Sequence, residues 1–125
     1  MGQPSVLLVD DDAACRITLL HNLTLKKIRV ACATNGEEAL RELQKAPTEF
    51  TAIVLDLRMP VMDGAEFLRR YDGSRPVILT SGHGTECDLP RAVHMIIPKP
   101  IDVPLLVSAI LDLAIINPWG LPKRH

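Results

Sequence analysis

Five short aliphatic runs, each broken off by polar residues, constrain this chain more than any other feature. Val6-Leu7-Leu8-Val9 ends at Asp10-Asp11-Asp12, Ile53-Val54-Leu55 at Asp56, and Val77-Ile78-Leu79 at Thr80-Ser81-Gly82. Ile28 to Ala33 and His94 to Ile97 complete the set, the last ending at Pro98-Lys99-Pro100. Runs this short and this continuously apolar read as strands buried on both faces. An acid at the end of such a strand costs desolvation energy unless a positive or hydrogen-bonding group meets it.

Helical patterns fill the intervals. Ala13 to Leu25 carries Ala14, Ile17, Leu20 and Leu23 or Thr24 on one face, with Asp12 placed as its cap. Asn35-Gly36-Glu37-Glu38 resembles a capping box, and the helix it opens shows Ala39, Leu40, Leu43 and Ala46 before stopping at Pro47. Asp63 caps a third helix with Glu66 three positions on and Phe67, Leu68 and Tyr71 on its apolar side. Gly82 to Ala92 holds two glycines and Pro90, and supports one short helix at most, around Asp88 to Val93. The last helix runs from Val103 to Ile116, with Asp102 as cap, Pro104 in the tolerated first turn, and Leu106, Ala109, Ile110 and Leu113 buried. Strands alternating with helices over short connections predict an α/β fold, a parallel sheet covered on both faces.

At 125 residues the chain is a single domain by length, with an aliphatic core, since aromatics make up only 3%. A formal charge of -1 gives no bulk attraction to nucleic acid or to a membrane. No apolar run approaches the roughly 20 residues of a membrane span, and the N-terminus lacks a signal-like stretch. Cys15, Cys32 and Cys87 are odd in number and lack metal-type spacing, so buried thiols in a reducing cytoplasm are expected. His83 is expected to be a solvated loop residue, and His21 and His94 have no ligand partner at useful spacing. Lys26-Lys27 with Arg29, and Lys123-Arg124, read as solvated surface, and Trp119 has no assignable role.

In a parallel sheet every strand delivers its C-terminal end to the same rim. Strand one brings Asp10 and Asp11 there, strand three Asp56, strand four Thr80 and strand five Lys99. Three carboxylates within a few ångströms raise each other's pKa, and a hard divalent cation relieves that repulsion; an all-oxygen site with few protein ligands suits Mg²⁺. Lys99 adds a second positive charge and Thr80 a neutral hydroxyl. A metal, an ammonium and a hydroxyl around one carboxylate form a receptor for three phosphoryl oxygens. Asp56 is then the nucleophile of an acyl-phosphate-forming reaction.

The segments VLLVDDD, IVLDLRMPVMDG, VILTSG and PKPI resemble the receiver domain of two-component response regulators, in order and with near-family spacing from about Ser5 to Ala114. The resemblance implies a flavodoxin-like doubly wound (βα)5 sandwich with a five-stranded sheet in the order 2-1-3-4-5, the fourth helix being short or irregular here. It implies a receiver domain over residues 1–116, with 117–125 as a tail or the start of a linker. It also implies Mg²⁺-dependent phosphoryl transfer to Asp56 from the phosphohistidine of a histidine kinase or phosphotransfer protein, followed by a change of interaction surface. Asp11 and Asp56 would bind Mg²⁺ directly, Asp10 largely through water, and the backbone carbonyl of Arg58 would be a further ligand. Thr80 and Lys99 would contact the phosphoryl oxygens, and Lys99-Pro100 is expected to be cis, as is common in this family. Homodimerisation through the fourth helix, fifth strand and fifth helix is a further implication.

The sequence departs from the family pattern at several positions. Ile96 stands where many receivers carry Tyr or Phe, and the Thr80–Lys99 interval is a few residues short. Arg58 and Gly82 occupy the two positions that often set phosphoryl lifetime, and Gly82 offers nothing to orient a water, so slow self-dephosphorylation is expected. The acids also fit an Asp-nucleophile phosphatase of the haloacid dehalogenase type, with Asp10 as nucleophile of Asp10-Asp11-Asp12. That class needs a further acidic motif after the lysine and a cap; only Asp102 and Asp112 follow Lys99, and the chain has no room for a cap. A receiver acting as an unphosphorylated interaction module is opposed by the complete set of Asp10, Asp11, Asp56, Thr80 and Lys99. The Pro- and Gly-containing tail reads as a linker, so a piece of a longer regulator or hybrid kinase is expected.

Overall fold

Hydrogen bonding joins the five apolar runs into one parallel sheet in the order β2-β1-β3-β4-β5. In chain order the elements are β1 (Ser5–Val9), α1 (Ala13–Leu25), β2 (Arg29–Ala33), α2 (Gly36–Lys45), β3 (Ala52–Asp56), α3 (Gly64–Arg70), β4 (Val77–Ser81), β5 (Val93–Pro98) and α4 (Val103–Ile116). These come from a computed structural model that describes residues 3–45, 50–59, 62, 64–71, 73, 75–82 and 93–116. The expected Asp63 cap and the tail 117–125 with Trp119 lie outside the described residues. So does the short helix expected near Asp88, except that Val93 opens β5 instead of closing that helix.

The strands are apolar on both faces because helices cover both. Side chains alternate along each strand: Val6, Leu8, Val54 and Ile78 pack against Leu19 and Leu23 of α1 and Leu106 and Ile110 of α4. Leu7, Val9, Ile53, Leu55 and Leu79 pack the other way, against Ala39 and Leu43 of α2 and Phe67 and Leu68 of α3. The two edge strands differ: within β2 only Ala33 is fully buried, and within β5 only Ile97.

The caps follow the sequence reading closely. Asp12 accepts from the amides of Ala14 and Cys15 at 3.0 and 3.3 Å, and Asp102 from that of Leu105 at 3.1 Å. Asn35 accepts from the Glu38 amide at 2.9 Å, while the Glu38 carboxylate reaches back to the amide of Thr34 at 2.7 Å. This is a capping box displaced by one residue. At the other end of α1, Lys27 adopts a left-handed φ of 63° and Ile28 donates to the Leu23 carbonyl at 3.1 Å. That Schellman arrangement turns Ile28 into the core.

One helix face is not the one expected. Ile17 is 63% exposed, and Ala14 and Leu20 also face outward. The buried stripe of α1 is Cys15, Leu19 and Leu23, at strict i,i+4 spacing. With apolar residues on most sides of the helix, periodicity alone could not orient it; packing against the sheet and α4 does.

Two glycines set the path of the chain after Asp56. A Cβ on Gly64 would lie 2.6 Å from the Asp56 carbonyl oxygen and 2.7 Å from Leu57 Cα, and its amide donates to Leu57 at 2.8 Å. Gly36 opens α2 against Met62, whose carbonyl accepts its amide at 2.8 Å and would lie equally near an added Cβ. Both close approaches involve backbone, so neither relaxes by a rotamer change.

Two predictions follow from this packing. Leu19→Ala should cost about 2–5 kcal/mol of stability, and Ile17→Ala no more than about 0.5 kcal/mol; equal effects in urea denaturation would mean that α1 is turned the other way. Gly64→Ala should cost about 1–3 kcal/mol through overpacking, and an unchanged urea midpoint would show that the β3–α3 turn has slack.

Candidate functional site

The C-terminal rim of the sheet brings together the residues expected there. Asp10 follows the last residue of β1, Asp56 closes β3, Thr80 lies beside Asp56 in the β3–β4 register, and Lys99 follows β5. The Lys99 ammonium lies 3.2 Å from an oxygen of Asp10 and 3.2 Å from one of Asp56. Asp10 and Asp56 are buried, while Asp11 is exposed. Each of the three carboxylates offers an oxygen within 4.8 Å of the others.

Backbone hydrogen bonds carry these side chains to the rim. The Asp10 amide extends the β1–β2 ladder by donating to Ala33 at 3.1 Å, and the Lys99 amide donates to Ser81 at 2.8 Å. The Leu57 amide donates to Thr80 at 3.0 Å, holding the residue after Asp56 against β4. Lys99-Pro100 is cis, as expected. Oδ1 of Asp10 accepts the Asp12 amide at 2.9 Å, and Oδ1 of Asp56 accepts the Arg58 amide at 3.2 Å. Thr80 is buried and its hydroxyl donates a long bond, 3.4 Å, to the Leu55 carbonyl. The Arg58 side chain is exposed. Gly82 is also exposed, with open space where a Cβ would stand. His83 and Cys87 lie outside the described residues.

Electrostatics set the character of the site. Burial and then the charge of Asp10 push the Asp56 carboxyl above the usual carboxylate range, against the opposing pull of the Arg58 amide and Lys99. Burial alone would lower the Lys99 ammonium; Asp10 and Asp56 more than offset it, so its pKa ends above the ordinary lysine value. Burial and the neighbouring Asp10 push the Cys15 thiol up to about 12, which keeps it protonated and unreactive.

The donor set fits a hard divalent cation. Three carboxylate oxygens converge, no nitrogen or sulfur ligand is among them, and a single ammonium cannot neutralise three negative charges. Mg²⁺ held by Asp10, Asp11 and Asp56 would offset both the burial of the Asp56 charge and its repulsion by Asp10.

The sequence reading passed over Arg16. Its guanidinium Nη1 donates to the backbone carbonyl of Asp10 at 2.8 Å. A signal was present, since a cation four residues past an N-cap faces the positive end of the helix dipole and calls for a tertiary partner.

Comparison with known proteins agrees with this geometry. The response regulator receiver domain family matches residues 6–111. The C4-dicarboxylate transport transcriptional regulatory protein DctD of Rhizobium meliloti is 37% identical over 117 residues, 85% of this chain and 24% of that protein. The transcriptional regulatory protein AfsQ1 of Streptomyces coelicolor is 38% identical over 88 residues, 69% of this chain and 38% of that protein. The chain thus spans well under half the length of either relative. Among solved structures, the receiver domain of the hybrid histidine kinase CckA matches with a TM-score of 0.74 at 30% identity, covering 87% of this chain and 97% of that one. The chemotaxis response regulator CheY4 of Vibrio cholerae matches with a TM-score of 0.73 at 26% identity, covering 90% and 99%. No helix among the described residues is long and apolar enough to cross a membrane. By sequence, strand order and the residues gathered at its rim, the chain belongs to the receiver domain family of two-component response regulators.

Proposed function

We propose that residues 1–116 form a receiver that accepts a phosphoryl group on Asp56 from the phosphohistidine of a histidine kinase or phosphotransfer protein, with residues 117–125 as tail or linker. The observation that carries this reading is Lys99 bridging Asp10 and Asp56 beside Asp11, at the ends of separate strands. A carboxylate oxygen of Asp56 forms the new O–P bond while the donor P–N bond breaks, and the departing imidazole keeps that electron pair. Lys99 leaves its carboxylate partner to meet a phosphoryl oxygen, and the Thr80 hydroxyl turns from the Leu55 carbonyl to a second. Mg²⁺, held by Asp10, Asp11, Asp56 and the Arg58 carbonyl, would supply positive charge where the transferring group becomes more negative. The resulting change in Lys99 and Thr80 alters the surface that a partner, or a second copy through β5 and α4, would meet.

Incubation with Mg²⁺ and acetyl phosphate should add one hydroxylamine-labile phosphoryl group by intact mass. It should be absent in Asp56→Asn and in a chelated control, and should decay slowly, because Gly82 holds no water-orienting group. No adduct on folded, Mg²⁺-binding protein would point instead to an unphosphorylated interaction module, and turnover with the adduct on Asp10 to a phosphatase.

The raised Asp56 carboxyl also predicts a stability effect with a definite sign. Its folded-state pKa exceeds the unfolded one, so its contribution is favourable below the unfolded carboxylate range and is lost as pH rises through the folded value. Metal-free Asp56→Asn should therefore melt higher than wild type at pH 7, with Lys99 keeping Asp10 as its partner. The gap should close as pH falls to the ordinary carboxylate range. Saturating Mg²⁺ should stabilise wild type much more than the variant. A lower melting temperature for metal-free Asp56→Asn at pH 7 would show that the Lys99–Asp56 pair outweighs burial and repulsion.

A further inference from the structure

We propose that Arg16 is a positioning residue for the phosphoacceptor site, fixing the backbone of Asp10 so that its carboxylate is presented to the cation. The inference rests on the Mg²⁺-dependent reading above and adds a group that reading does not use. Asp10 sits where β1 has ended and α1 has not begun, so its carbonyl lacks a partner in either element. The residue is 1% exposed, and a buried carbonyl without a partner costs free energy. Arg16 meets it with a charge-assisted bond of 2.8 Å.

The remaining polar groups of Asp10 are then fixed as well. Its amide donates to Ala33, one carboxylate oxygen accepts the Asp12 amide, and the other accepts Lys99. Arg16 is itself half-buried, and its charge is felt by Glu38 of α2 and Cys32 of β2. It therefore sits where β1, α1, β2 and α2 meet. Loss of the guanidinium frees the Asp10 peptide to rotate, and the carboxylate moves with it. A metal ligand depends on such outer contacts for its orientation, and their removal commonly weakens metal binding by about 10–100-fold. Because Arg16 holds the ligand's backbone rather than its carboxylate, the low end of that range applies.

The test compares wild type, Arg16→Ala and Arg16→Lys, each confirmed as folded by circular dichroism. In metal-free protein, Arg16→Ala should speed amide hydrogen exchange at Asp12, whose N–H is held by the Asp10 carboxylate. In titration calorimetry it should raise the Mg²⁺ dissociation constant about tenfold, with saturating Mg²⁺ restoring phosphorylation by acetyl phosphate. Arg16→Lys, which keeps a cationic donor, should recover most of the affinity. Unchanged exchange at Asp12, or faster exchange with unchanged Mg²⁺ affinity, overturns the proposal. If wild type binds no Mg²⁺ while exchange at Asp12 still responds to Arg16, the metal reading fails and the positioning of Asp10 stands. Should Arg16→Ala not fold, Arg16→Gln, which keeps a neutral donor on a shorter stem, carries the same comparison.

Discussion

Lys99 touches two carboxylates that would otherwise repel each other at the edge of a dry core, and the arrangement of the site depends on that contact. Asp10 and Asp56 come from neighbouring strands, and both are buried. Burial, and then their proximity while both are charged, raise the pKa of Asp56. One ammonium at 3.2 Å from each lowers the repulsion without abolishing it. The site thus keeps a surplus of negative charge, which a divalent cation would offset. The same surplus makes the ammonium harder to deprotonate, so Lys99 remains a cation.

The topology explains why these groups meet. Strand order 2-1-3-4-5 reverses direction between β1 and β3, and the helices leaving those two strands cover opposite faces. The crevice opened by that reversal lies outside the carboxyl ends of β1 and β3, where Asp10 and Asp56 stand. Apolar residues along the strands fix the register, and the register fixes the pairing of Asp56 with Thr80. A slip of one residue would turn each strand's inner and outer sets around. The packing of the two cores is therefore what places the carboxylates, and Gly36 and Gly64 admit the close backbone approaches to Met62 and to Asp56 and Leu57.

Much of this was legible in the sequence, and for identifiable reasons. Strand ends are marked by a sharp change from aliphatic to polar residues, so the sequence alone assigns Asp10, Asp56, Thr80 and Lys99 to one rim. Asp12, Asn35 and Asp102 were legible as caps because a cap is a local bond. The face of α1 was not legible: Ala14, Ile17 and Leu20 match helical spacing as well as Cys15, Leu19 and Leu23 do. The difference lies in which side meets the sheet and α4, which is a long-range fact. Arg16 escaped notice for a similar reason, since its partner is a peptide carbonyl and no residue type announces that.

The two sides of the site differ in support, and this bears on how a change at Asp56 travels. Toward β2, Asp10 is held through its amide, its carbonyl and both carboxylate oxygens. Toward β5, the pairing carries a register irregularity where β4 begins to meet it. Ile96 is 43% exposed on that strand and has no hydroxyl or ring edge to answer a movement of Thr80. Thr80 is paired in register with Ile97, which is buried among residues of α4. A displacement of Thr80 or Lys99 therefore meets the packed Ile97 and the turn leading into α4 before it meets the exposed side chain of Ile96. In this chain, aliphatic packing between β5 and α4 is the direct mechanical neighbour of the rim that carries Asp56, Thr80 and Lys99.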